Sequence, residues 1–156
     1  MSATTTLSLD GAELTVETSA LFRAWFERHL GKPSAPSFSA PTARPGERYL
    51  GSIIEPNGRV RHTFLMPGDE KKNWNDGWKW AQSKGGDLPD RIEQAMLFAY
   101  MPEEFQKEAY WSNTQHAAYS LHAWSQGFNN GSQDYDNKIN ELRVRAVRRE
   151  FSDSVI

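Results

Sequence analysis

The chain has 156 residues, a formal net charge of −2 and no cysteine. That length holds one compact domain with its own core plus an appendage. The missing thiols exclude disulfides, zinc–thiolate sites and thiol nucleophiles, and the near-balanced charge gives no electrostatic argument for a nucleic-acid or membrane-surface partner.

Residues 1–17 show neither the basic start nor the apolar stretch of a signal peptide, and no segment approaches the ~20 apolar residues of a membrane span. Within them, residues 7–17 read as a hairpin. Leu7 and Leu9 alternate before the turn pair Asp10-Gly11, and Leu14 and Val16 alternate after it. Thr18 or Ser19 is then expected to cap a helix ended by Gly31. Leu21, Phe22, Trp25, Phe26 and Leu30 fall on it at helical spacing. A hairpin plus one helix buries too little to stand alone. Its apolar stripe must pack on the rest of the chain, on a copy of itself or on another protein, and residues 1–31 are therefore read as an attachment or oligomerisation element. Residues 32–46, with Pro33, Pro36, Pro41 and Pro45 among Ser and Ala, read as a semi-stiff linker.

The main domain is expected over residues 47–151, with a short tail at 152–156. Strands at 49–54 and 60–65 flank the turn Pro56-Asn57-Gly58, and residues 69–72 read as a charged loop. Asn73 is placed to cap a helix with Trp74, Trp78 and Ala81 on one face, closed by Gly85-Gly86. Asp90 and Glu93 have capping-box spacing, ahead of an apolar stripe of Ile92, Ala95, Met96 and Ala99. Pro102 opens one further turn. Strands follow near 110–112 and 121–128, then a turn at Asn129-Asn130-Gly131, a return strand, and a last strand at 141–149 in which Leu142, Val144 and Ala146 alternate with Arg143 and Arg145. Strands, two helices, then strands imply an α+β fold with an antiparallel sheet. The six tryptophans point to a loop-rich fold pinned by large anchors, each burying ~150–250 Å². Trp74, Trp78, Trp111 and Trp124 are the expected core anchors.

The segments GERYLGSI, FLMPGDE, NWNDGWKWAQSKGGDLPDRIEQAMLFAYMPEEF, YWSNTQH, HAWSQGF and VRAVRR resemble, in family order, a phage and prophage domain of unknown function. That family is related to the C-terminal domain of the Legionella collagen-like (Lcl) adhesins and has a C-type-lectin-like fold. The resemblance covers residues 47–150. It implies binding rather than catalysis, with the ligand met by the late strands and loops. Without a signal peptide or membrane span, the expected location is a host cytoplasm or a virion. A catalytic branch of the broader fold depends on cysteines, which are missing here.

The late segment alternates rings with small polar side chains, a composition suited to rigid binding faces. The expected ligand-binding residues are Asn113, Gln115, His116, Tyr119, Trp124, Gln126, Asn129, Asn130, Ser132, Gln133 and Tyr135. Alternation on residues 121–128 lets only one parity face outward. Glu55-Pro56-Asn57 and Trp74-Asn75-Asp76 resemble the calcium and sugar motifs of C-type lectins. Both come too early in the domain for that role, and a turn and a helix start account for them. His116 and His122 would need a third ligand to hold a metal. Arg143, Arg145, Arg148 and Arg149 are expected to pair with acidic neighbours or stack on rings. No nucleophile–base–orienter set stands out. The reading is thus a non-enzyme without cofactor or metal, binding a protein or glycan as a homo-oligomer or with a virion or host protein partner. An intracellular phage accessory protein that blocks a host defence protein is the alternative.

Overall fold

The computed structural model describes residues 3–31 and 40–152. The chain divides between residues 39 and 40 into two compact units. Residues 32–39 of the expected linker and 153–156 of the expected tail lie outside the described residues. Residues 40–46 belong to the larger unit, and Ser152 belongs to its last strand.

In the smaller unit, β1 (Thr4–Leu9) pairs antiparallel with β2 (Ala12–Glu17). Asp10 and Gly11 turn the chain at φ 47° and 83°, the left-handed pair a two-residue hairpin needs. Helix α1 spans Thr18–Leu30. Neither Thr18 nor Ser19 caps it: Glu17 is the N-cap residue, and its side chain makes no capping bond. The Thr18 hydroxyl instead meets that of Thr5 at 2.8 Å, and its N–H donates to Ala3 O at 2.9 Å. The hairpin thus does the holding that a cap would do. Helix α1 buries none of its residues; Leu21, Phe22, Trp25 and Leu30 are exposed, and Phe26 is half-buried.

The larger unit is α+β. Its elements are β3 (Arg48–Ile54), β4 (Val60–Leu65), β5 (Glu70–Lys72), α2 (Trp74–Ser83), α3 (Arg91–Tyr100), a 3-10 turn at Pro102–Glu104, β6 (Ala109–Gln115), β7 (His122–Gly127), β8 (Gln133–Asn137), β9 (Leu142–Val144) and β10 (Val147–Ser152). They form two sheets. One is antiparallel, in the order β10-β4-β3; the other has the order β5-β9-β6-β7-β8 and contains one parallel pairing, β6 with β9. Among the described residues no helix is long and apolar enough to cross a membrane.

Two expectations fail here. Residues 70–72 form a strand rather than a loop, because β9 offers them an antiparallel partner. The expected last strand is two strands in different sheets. Val144 to Arg148 are all buried, which no half-exposed strand allows, and the chain crosses between sheets at Arg145 and Ala146. Arg145 makes the crossing tolerable by donating to the carbonyls of Met66 (3.0 Å) and Glu104.

The core has two clusters. Leu50, Leu65, Leu97, Met101, Phe105, Tyr110, Phe128 and Val147 form one, and Met66, Ala81, Leu88, Trp111, Ala123, Val144 and Ala146 the other. Tyr110 is anchored by donating to Asp69 Oδ2 (2.7 Å), and burial together with that carboxylate pushes its hydroxyl pKa up. Trp74 and Trp80 pack on the second cluster, whereas two expected core anchors fail: Trp78 is exposed, and Trp124 is half-buried and outside both clusters. Gly77 and Ala81 take the buried positions of α2 instead.

Helix α3 also turns a different face inward. Ile92, Ala95 and Ala99 are exposed, and Glu93, Gln94 and Leu97 are buried. The capping box of Asp90 and Glu93 is present. The fully buried Glu93 carboxylate accepts from Thr63 Oγ1 (2.8 Å), Asp90 N (2.8 Å) and, through two bonds of 2.9 and 2.6 Å, Arg149. Arg149 also donates to Asp87 Oδ2 (2.8 Å) and Leu88 O (3.0 Å). Burial pulls the Arg149 pKa down, but the bonds and charge of Glu93 and Asp87 outweigh it, so the guanidinium is held above its ordinary value. The other late arginines pair likewise: Arg143 with Asp69 and Glu108, Arg145 with Glu104, Arg148 with Glu47 and Glu150.

Candidate functional site: a ring platform on the late hairpin

Strands β7 and β8 pair with Trp124 opposite Tyr135 and Gln126 opposite Gln133. On β7, Ala123 and Ser125 are buried, so His122 and Trp124 hold the open parity, as alternation requires. The β6–β7 loop folds back over this face. His116 N donates to His122 O and His122 N to Tyr119 O, both at 2.9 Å. His116 Nδ1 accepts from the backbone N–H groups of Ala118 (3.2 Å) and Tyr119 (3.1 Å). An acceptor Nδ1 leaves the ring proton on Nε2, an assignment made from the bonding pattern.

The loop thereby delivers its rings to the hairpin. His116 stacks on Trp124 (5.3 Å between centroids) and on Tyr119 (4.8 Å), and lies 4.4 Å from Tyr135. Tyr135 meets Trp124 edge-on at 5.7 Å and His122 edge-on at 5.7 Å. The Arg91 guanidinium, from the first turn of α3, lies 3.6 Å above Trp124. Stacked flat groups thus run from Arg91 through Trp124 and His116 to Tyr119. Such pairs contribute about 0.5–1.5 kcal/mol each beyond area burial, enough to hold the rings in fixed orientations. Tyr119 and Tyr135 remain 53% and 41% exposed, which leaves broad ring surface open to a ligand.

The structure brings together only part of the expected site. His116, Tyr119, Trp124 and Tyr135 form the platform, and Gln115 borders it, its Oε1 accepting from Lys138 Nζ (2.5 Å). Asn113 points elsewhere: its Nδ2 donates to Asp87 Oδ2 (2.9 Å), pinning β6 to the chain before α3. Asn129, Asn130 and Ser132 build the β7–β8 turn, where Asn130 Oδ1 accepts from both N and Oγ of Ser132. Gln126 is 1% exposed, so it is not an open rim residue. Gln133 clasps α3, accepting from Arg91 Nε (2.9 Å) and donating to Arg91 O (2.6 Å).

Sequence reasoning missed Arg91 and left His122 outside the site. Arg91 sits on an early helix, and nothing local signals that it reaches a strand so much later. His122 could have been found, since it shares parity with Trp124.

The calcium-like motifs are occupied otherwise. Glu55 faces Arg61 at 3.4 Å, Asn57 Oδ1 accepts from Arg59 N (3.0 Å), and Asn73 Oδ1 caps α2 by accepting from Asp76 N (3.0 Å). Among the described residues no three His, Asp or Glu side chains gather where they would hold a metal ion. In comparisons with known proteins, no protein-family profile matches the chain, and no curated protein matches it in sequence.

Proposed function

We propose that the larger unit is a non-catalytic binding module of the C-type-lectin-like kind, taking a protein or glycan ligand on the ring platform, as a virion or receptor-binding component of phage type. The observation that carries this reading is the platform itself. Its rings are locked by stacking and by the His116 loop bonds, yet Tyr119 and Tyr135 keep exposed faces. Pre-ordered rings give contact area at low entropic cost. The looped path of the chain, whose β3 and β10 both pair with β4, supports the lectin-like assignment. The smaller unit serves as the attachment or self-association element, since α1 buries none of its residues.

The test is capture of whole bacterial cells and of a panel of purified surface glycans and proteins, comparing wild type with Tyr119→Ala/Tyr135→Ala. The double variant is expected to bind at least about tenfold more weakly, the loss typical of exposed aromatic anchors, with an unchanged fold by circular dichroism. Equal binding by both proteins to every captured ligand would overturn the reading.

A further inference from the structure

A groove of about 540 Å³ lies between the outer face of α3 and the β7–β8 hairpin. Its apolar wall is Ile92, Ala95 and Phe98, and Gln126 contributes to its lining. Ile92 is 58% exposed, an uncovered branched side chain beside an open cleft.

Two polar features are left unfinished there. The first is Arg91. Trp124 and Gln133 hold its guanidinium in place, but its terminal nitrogens have no hydrogen-bond or ion-pair partner among the described residues. The arginines of β4, β9 and β10 each face a carboxylate; Arg91 does not. The second is Gln126. Its Nε2 is spent on the carbonyls of Gly127 (3.4 Å) and Ser132 (3.2 Å), which fixes the amide orientation, and its buried Oε1 meets no donor among the described residues. A fixed, unpaired guanidinium suits a carboxylate. An orphaned buried acceptor suits an N–H donor. Apolar walls with a few placed polar groups are the usual make-up of a ligand cleft.

We infer that this groove receives the C-terminal residue of a partner polypeptide: its free carboxylate on Arg91, its backbone N–H on Gln126 Oε1, and an apolar side chain against Ile92, Ala95 and Phe98. The inference rests on the binding reading above and names the partner chemistry for the α3 end of the same face. A polyhydroxylated sugar fits less well, because the wall it would meet is apolar.

The experiment follows the side-chain amide and arginine Nε signals of the isotope-labelled full chain during titration with acetyl-glycyl-leucine as free acid, with the same compound as C-terminal amide, and with N-acetylneuraminic acid. The free acid should shift the Gln126 and Gln133 amides saturably, and the amide should bind at least tenfold more weakly. Arg91→Gln should abolish the difference between acid and amide. Ala95→Phe, at an exposed position, should fill the groove and remove binding while leaving the Arg91–Trp124 stack intact. Equal binding of acid and amide, no saturable shift, or stronger binding of the sugar acid would each overturn the inference. Any of these would leave the platform reading standing, since that reading depends on Tyr119 and Tyr135.

Discussion

Replacing Glu93 by glutamine would remove one buried charge while keeping the shape of the side chain. In the folded protein this carboxylate is fully buried and takes both bonds from Arg149, with Thr63 Oγ1 and Asp90 N also donating to it and Arg61 Nη1 at 3.5 Å. Breaking a buried ion pair from one side costs about 3–5 kcal/mol, because the surviving charge stays buried without its counterpart. Here Asp87 still faces Arg149 at 2.8 Å, and the glutamine oxygen can still accept one bond, so the expected cost lies near the lower end, about 3 kcal/mol. Against a total stability of about 5–15 kcal/mol that is a large share, and it should lower the melting temperature by roughly 10 °C. Urea unfolding, followed by tryptophan fluorescence and far-ultraviolet circular dichroism, gives the free energy by linear extrapolation. Arg149→Met should cost a similar amount. The double variant should cost about 2 kcal/mol less than the two losses added, since contacting residues couple. A loss below about 1 kcal/mol for Glu93→Gln, typical of a solvated surface pair, or strict additivity of the two, would refute the reasoning. Because Asp90 and Glu93 fix the first turn of α3, the same variant should also loosen Arg91 over Trp124, seen as a weakened near-ultraviolet signal.

Gly77→Ala should destabilise by about 1–3 kcal/mol in the same unfolding assay, although alanine is the better helix former by about 1 kcal/mol: the new Cβ would lie 2.6 Å from Val144 Cγ1, and overpacking outweighs propensity. A stabilised variant would show that α2 and β9 can part at little cost. Glu47 carries a pH signature. Its bonds to Arg148 hold its carboxyl below the ordinary value of 4.5, so it contributes stability above that value and loses it as pH falls through the lower folded value. The stability gap between wild type and Glu47→Gln should therefore shrink below about pH 4.5, and a gap that stays constant on acidification would contradict the pairing. Light scattering after size exclusion should show residues 40–156 at a lower assembly state than the full chain, with Trp25→Glu reproducing the change; identical masses for all three would remove the self-association role of α1.

Local chemistry was legible in the sequence wherever a residue acts within its own turn. The Asp10-Gly11 hairpin, the Asn73 cap and the Asp90–Glu93 capping box follow from side chains reaching neighbouring backbone, and each occurs as read. The buried face of α3 was not legible. Periodicity assumes that the inward face is apolar, whereas Glu93 and Gln94 are buried because partners arrive from elsewhere: Thr63 and Arg149 for Glu93, Tyr110 O for Gln94. The same blindness hid the break between β9 and β10, since Arg145 is buried only because Met66 and Glu104 supply carbonyls. In the site, the ring types were readable, and so was the rule that only one parity of residues 121–128 faces outward; which parity that is, and that Trp124 lies on the open side, was not. What separated platform from scaffold was long-range: Asn113 is spent on Asp87, and Gln133 on Arg91.

β4 lies in the middle of its sheet, yet one of its two neighbours, β10, is made long after it. During synthesis β4 and β3 must wait as a bare two-stranded ribbon, one flank of β4 offering unmatched amides and carbonyls to any passing strand. Only when β10 emerges, carrying Arg148 and Arg149 to Glu47, Asp87 and Glu93, are that flank and the early carboxylates closed in one event. Nascent chains of this protein should accordingly stay protease-sensitive and prone to mispairing until those residues clear the ribosome, and then lock abruptly.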